Sequence, residues 1–336
     1  MTTSATPTTG ATATTGGIKV GVLLWPQTSS WPAIRDAAIR ADRVGLDSLW
    51  TWDHLMAIVG PWEQPILEGW STLGALAVLT ERATLGLMVG ANTFRNPGLT
   101  AKLATTLDHL SGGRAILGLG GAWFEREHDG YGIDFGSGFG ERLDRLDEAV
   151  GLLRRLLDGE RVEDHEGRFY RMHDALVAPR PIQAHLPILI GGSGPQKTLR
   201  TTARYADGWN AGGTVEELRR KDATLRERCA EVGRNPDEIE RTTSIWLSIR
   251  DNEAEALRVL EASAAANGSS IDEDEAVYAG SPEKIAEELL PVVELGFRHI
   301  IADLASPYDA ETIERLAEVR ALLARELAPA GGPVGR

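Results

Sequence analysis

The sequence predicts an α/β protein built as a closed (β/α)8 TIM barrel with loop insertions. Three observations predict it. Eight short apolar runs recur between Ile18 and Ile301, and amphipathic stretches of helical length separate most of them. The runs are nearly continuously apolar, as parallel strands covered on both faces are. No G-x-G-x-x-G follows the first run, which weakens the runner-up, an open doubly wound sheet.

Taken in order, Ile18–Leu24 reads as strand one and Pro32–Val44 as its helix, ending near Gly45. Ser48–Trp52 is strand two, with Asp53-His54 at its end, and Ser71–Thr80 is the second helix. Thr84–Val89 and Ala115–Leu119 are strands three and four. Between them Leu99, Leu103, Leu107 and Leu110 recur at helical spacing, and Ser111-Gly112-Gly113 forms the turn out. The chain is organised around this βαβ unit. Residues 120–140 read as a loop rich in Gly and aromatics, longer than a connection needs, and such loops are usually functional. Glu141–Leu157 is a long amphipathic helix. Arg161–Val177, with Gly167 at its middle, reads as a surface hairpin outside the barrel. Leu186–Ile190 is strand five, followed by GGSGPQKT and a helix to Tyr205. Gly208–Asn210 is strand six, Val215–Val232 a helix and Thr242–Ile249 strand seven. Helices at about 252–266 and 282–294 precede strand eight, Phe297–Ile301, and a last helix runs from Ala310 to about Leu327. The expected organisation is one domain over 18–327, with a loose Thr/Ala/Gly/Ser-rich tail at 1–17, not a signal peptide, and another at 328–336.

Composition narrows the function. The 336 residues carry 35 Lys plus Arg against 49 Asp plus Glu, a net charge of −14. That excess of acid argues against nucleic acid or an anionic membrane as the main partner. No run approaches the ~20 apolar residues of a membrane span. The single cysteine, Cys229, excludes an internal disulfide and a cysteine metal cluster, and fits a cytoplasmic protein. Histidines 109, 128, 165, 173, 185 and 299 show no metal-binding spacing, so no metal is expected. There is no G-x-S-x-G elbow and no Walker loop.

Four places have the residue types of a site. Small residues at strand C-terminal ends let a flat ligand approach the backbone. Gly90-Ala91-Asn92 follows strand three, and Gly120-Gly121-Ala122-Trp123 ends strand four and opens the loop. Asp53-His54 is the acid–base candidate, because histidine titrates near neutrality without a special environment. Gly191-Gly192-Ser193-Gly194, with Pro195 read as a first-turn proline, offers free N–H groups to a phosphate at a helix start. Trp25, Trp31, Trp50, Trp52 and Trp62 make the first third aromatic, and those near strand ends suit an apolar substrate pocket. Arg95 and Arg126 are weaker candidates for an anionic group, and read better as structural or solvated.

The segments LMVGANTFRNP and LDHLSGGRAILGLGGAW resemble the luciferase-like monooxygenase superfamily, most closely the branch that uses the deazaflavin coenzyme F420. The resemblance spans about Lys19 to Leu322. It implies a bacterial-luciferase-like barrel and hydride transfer between F420 and a small organic substrate. It implies that Asp53 and His54 lie against the ring, His54 as acid or base with Asp53 orienting it. It implies a cis peptide at Met88-Val89 behind the ring, with Ala91 and Asn92 at its polar edge. Gly120, Gly121, Ala122 and Trp123 would lie beside the cofactor, and Gly191, Gly192, Ser193 and Gly194 would hold its phosphate. It implies a homodimer. In the branch's sugar-phosphate dehydrogenases a glutamate acid stands at about Trp123. The indole here argues against that activity. Two alternatives share the barrel: a two-component monooxygenase using FMN reduced by a separate flavin reductase, and a non-catalytic flavin-binding protein.

Overall fold

The computed structural model describes residues 17–271 and 277–328. The tail readings therefore fall almost wholly outside the described residues. The strands are β1 (Lys19–Leu24), β2 (Ser48–Thr51), β3 (Thr84–Leu87), β4 (Gly90–Ala91), β5 (Ala115–Gly120), β6 (Val162–Glu166), β7 (Arg171–Ala175), β8 (Ile188–Gly191), β9 (Gly208–Asn210), β10 (Glu240–Ile249), β11 (Val277–Gly280) and β12 (Phe297–Leu304). The helices are α1 (Trp31–Arg43), α2 (Gly69–Leu79), α3 (Pro97–Ser111), α4 (Glu125–Tyr131), α5 (Phe139–Leu157), α6 (Thr198–Tyr205), α7 (Val215–Glu231), α8 (Glu253–Ala266), α9 (Pro282–Glu294) and α10 (Ala310–Glu326).

Eight strands pair in parallel in the order β1, β2, β3, β5, β8, β9, β10, β12, and β12 returns to β1, so the barrel closes as expected. The hairpin β6–β7 is a separate two-stranded sheet. The alternation of strand side chains makes two cores. Leu23, Trp50, Met88, Leu189 and Ile301 pack in a cluster together with Trp25 and Trp52. The larger core joins the outward faces of the strands to the helices, for example Val22, Leu49 and Leu85 with Ile34, Leu73 and Leu107.

Local chemistry sets where the helices start. Ser30 and Asn96 accept from the amides of Ala33 and Leu99, each followed by a helix carrying proline in its first turn. Thr214 and Glu217 form a capping box for α7. Gly112, in the left-handed region, ends α3. Among the described residues, no helix is long and apolar enough to cross a membrane.

Four readings need correction. Strand three does not run to Val89 but stops at Leu87, and β4 resumes after a turn to pair with β5. The segment 120–140 is not all loop, since it holds α4. The short strand β11, unforeseen in sequence, adds to the end of β10. Pro195 is not in the first turn of a helix. It lies in the turn before α6, whose N-cap Lys197 makes no side-chain cap.

Candidate active site

The barrel's C-terminal ends bring together most of the residues singled out in sequence. Asp53 follows β2 and is 2% exposed. It does not orient His54. Its two oxygens take a fork from Arg95, Nη1 at 2.7 Å and Nη2 at 2.9 Å, and the Ala91 amide donates to Oδ2 at 2.9 Å. Burial pushes the Asp53 carboxyl above its usual range, while Arg95 and the Ala91 N–H work against that push. Arg95 also reaches Glu68 at 3.1 Å, and Glu68 caps α2 through the amides of Trp70 and Ser71. The pair therefore ties β2, β4 and the start of α2 together. Arg95 is spent on this tie and is not available to a ligand's anion.

His54 finds its partner in Glu127, on α4. Glu127 is 1% exposed, and its Oε1 lies 3.0 Å from His54 Nδ1 while its Oε2 accepts the Leu55 amide at 2.8 Å. A carboxylate at Nδ1 makes that nitrogen the N–H donor, so Nε2 is the nitrogen left to face a reacting group. No hydrogen bond to Nε2 occurs among the described residues. The ring stands edge-on to Trp52, Trp123 and Phe124 at centroid distances of 6.1, 5.6 and 6.1 Å. Trp123 is 59% exposed, so it is a wall of the mouth and not core. The signal that could have found Glu127 is its place two residues after exposed Glu125 in a seven-residue helix, where only one of the two can face inward.

The Met88-Val89 peptide is cis. Val89 sits between the ends of β5 and β8. A Cβ on Gly120 would stand 2.8 Å from Val89 Cγ2, and one on Gly191 at the same distance, so glycine at both positions is what lets the bulge fit. Asn92 is buried. Its amide donates to Tyr170 Oη at 3.0 Å, and its backbone N–H to the Gly120 carbonyl at 3.1 Å. The hairpin thus reaches the site, which its sequence position did not foretell. Glu148 on α5 holds that hairpin through the amides of Phe169 and Tyr170. Ala122 adopts a positive φ of 60° and gives its carbonyl to Arg142. Gly121 lies against Leu143.

After β8 the backbone of Gly191-Gly192-Ser193-Gly194 turns out of the barrel. Gly192 is anchored from both sides: its N–H donates to the Asn210 carbonyl at 3.1 Å, and its carbonyl accepts Trp209 Nε1 at 2.8 Å. The Ser193 and Gly194 N–H groups have no acceptor among the described residues, which leaves two donors for an anion. Lys197 is tied to Asp144 at 2.7 Å and to the Gly140 carbonyl. Arg126 stacks on exposed Trp62 at 4.3 Å. The one group of potential metal ligands among the described residues, Asp164, Glu166 and His173, is exposed on the hairpin, with His173 paired to both acids. His128, by contrast, is buried and committed on both nitrogens, to the Phe124 carbonyl and to Thr93.

Known proteins with this architecture give it a context. The chain is 30% identical over 297 residues to an F420-dependent glucose-6-phosphate dehydrogenase of Microbacterium testaceum, covering 79% of this chain and 85% of that one. It is 30% identical over 315 residues to the enzyme of the same name from Intrasporangium calvum, covering 84% and 91%. Among solved structures, an F420-dependent secondary alcohol dehydrogenase in complex with an F420-acetone adduct superposes with a TM-score of 0.79 at 20% identity, over 92% of this chain and 99% of that one. At that identity the match speaks for the fold. The luciferase-like monooxygenase family model matches residues 4–277. With a match over most of its length, the chain belongs to the luciferase-like monooxygenase family.

Proposed function

We propose that the protein is an F420-dependent oxidoreductase that moves a hydride between the deazaflavin and a small organic substrate. The observation that carries the reading is the His54–Glu127 pair at the barrel mouth, in a chain whose near-full-length relatives are F420-dependent enzymes. The residues suit such a cofactor. Val89 packs against Gly120 and Gly191 at the ends of β5 and β8, and the Ser193 and Gly194 amides stand ready for a phosphate. When bound, the deazaflavin supplies the hydride donor or acceptor carbon.

The chain's own residues would do the rest. Met88, Val89, Ala91 and Asn92 support the ring, with Gly120, Gly121, Ala122 and Trp123 beside it. Gly191, Gly192, Ser193 and Gly194 hold the phosphate. His54 Nε2 delivers or takes the proton of the reacting oxygen, and Glu127 keeps the imidazole in the tautomer that can do so. Asp53 acts on structure, through Arg95. The substrate named for the relatives does not carry over, because an exposed indole stands at Trp123 and the two buried acids beside His54 are both committed, Glu127 to His54 and Asp53 to Arg95.

The same reading makes the protein a cytoplasmic homodimer. A lone buried cysteine suits a reducing compartment. Exposed Val78 and Leu79 on α2, and Leu99 and Leu110 on α3, offer an apolar face for a second copy. Titration of the protein with F420 and with FMN, followed by tryptophan fluorescence, tests the central reading. F420 is expected to bind more tightly. FMN binding without F420 binding would overturn it.

A further inference from the structure

Glu127 acts on His54 from a slight support. Its helix, α4, has seven residues and no side-chain cap at its start. A helix that short does not hold itself together in water, so its place is set by what grips the segment around it. That segment runs from Ala122, just past β5, to Phe135, just before α5.

One side chain grips both ends. Arg142, in the first turn of α5, is 6% exposed. Its Nε donates to the Ala122 carbonyl at 3.3 Å, and its Nη1 reaches the Phe135 carbonyl at 3.5 Å. The guanidinium also lies over the Phe135 ring, with Cζ 3.6 Å from the centroid. Phe135 in turn leans on His128, the residue after Glu127, at 4.5 Å between ring centroids. Ala122 has the positive φ that residues other than glycine keep only where their surroundings impose it. Leu143, Leu146 and Val150 anchor α5 in the core, so the clamp stands on a fixed base. The other tie at the far end, Asp134 to Arg145 at 2.7 Å, is on the surface, with Asp134 73% exposed, and such pairs hold little. The His128–Thr93 bond holds the middle at one point, and the ends set its tilt.

We propose that Arg142 is the positioning residue of the His54–Glu127 pair: one guanidinium fixes both ends of segment 122–135 and so sets where Glu127 meets His54. Among the described residues Arg142 has no carboxylate partner, so its planar fork serves the two carbonyls and the ring. Lysine, a point charge on a flexible stem, cannot meet all three at once. The catalytic consequence rests on the hydride-transfer reading, but the placement does not.

Nitrogen-15 NMR of the His54 ring in the cofactor-free protein tests it. The parent should show one tautomer, with the proton on Nδ1. Arg142→Lys, which keeps the charge and loses the grip, should show a mixture, as Glu127→Gln does, while Asp134→Asn keeps the parent spectrum. Turnover of Arg142→Lys should fall by about tenfold with F420 affinity unchanged. Combined with Glu127→Gln it should be no slower than Glu127→Gln alone, because both act through one contact. Should Arg142→Lys fail to fold, Phe135→Leu removes the stacked ring alone and is read in the same way. A parent tautomer in the clamp variant, additive losses in the double variant, or the same mixture in Asp134→Asn would overturn the proposal. Failure of F420 to bind would instead remove the hydride-transfer reading and leave the NMR result to decide the placement.

Discussion

Glu127 decides which nitrogen of His54 faces the mouth. Its carboxylate holds both Nδ1 and the Leu55 amide, so it fixes the ring and the backbone that carries it. Replacing it with Gln places an amide at Nδ1 that can donate as well as accept, and the imidazole is no longer held in one tautomer. Glu127→Gln is expected to lower turnover by at least about tenfold with little change in F420 affinity. Steady-state kinetics beside a binding titration separates the two effects. The Asp53–Arg95 pair has a different job, and removing one partner leaves the other charged and buried. Arg95→Ala should cost about 3–5 kcal/mol of stability, read as a lower denaturant midpoint, and a midpoint within error of the parent would contradict a structural role. Neither partnership was legible in the sequence. Asp53 and His54 stand next to each other, which suggests mutual orientation. Adjacent residues at a strand end point opposite ways, however, and each finds its partner on a distant segment.

Elements carry the next scale. The apolar runs made the barrel strands legible, because a strand buried on both faces leaves no polar register. β11 was missed because its four residues, VYAG, are too few to display a period. α4 was missed because a run of Gly and aromatics reads as loop, although Glu125-Arg126-Glu127-His128 within it is a plain helical turn. The bottom of the barrel is joined by charge. Glu240 on β10 meets Lys19 on β1 at 2.7 Å and lies 3.7 Å from His299 on β12. Burial works to raise the Glu240 carboxyl, but His299 and Lys19 together prevail and take it from the usual 4.5 down to about 2. A depressed folded value means stability that is present above about pH 4.5 and lost as the pH falls towards 2, of about 3 kcal/mol in all. Urea unfolding at pH 7 and at pH 3 should therefore show a smaller difference for Glu240→Gln than for the parent. An equal difference would place the acid sensitivity elsewhere.

At the scale of the whole molecule, the barrel sets two tasks apart. The β2 end holds His54, and the loop after β8, three strands further round, holds the free amides. One ligand is proposed to span them, with its reacting ring near His54 and its phosphate at Ser193 and Gly194. The exposed faces of α2 and α3 belong to this scale as well: Val78→Glu should shift sedimentation from dimer to monomer at micromolar concentration, and a parent that is already monomeric would contradict the pairing. The division of labour has the most direct test. Single-turnover hydride transfer is followed by stopped flow at saturating F420, with each variant's F420 affinity measured alongside, using a substrate found by screening enones, aldehydes and alcohols. His54→Ala should slow the chemical step by about 10²–10⁴-fold with cofactor affinity nearly unchanged. Gly194→Val, whose Cβ would lie 2.8 Å from Thr198 Oγ1, should weaken F420 binding while the bound enzyme reacts at close to the parent rate. A His54→Ala enzyme that transfers hydride at the parent rate, or a Gly194→Val enzyme that binds F420 as the parent does, would contradict the account.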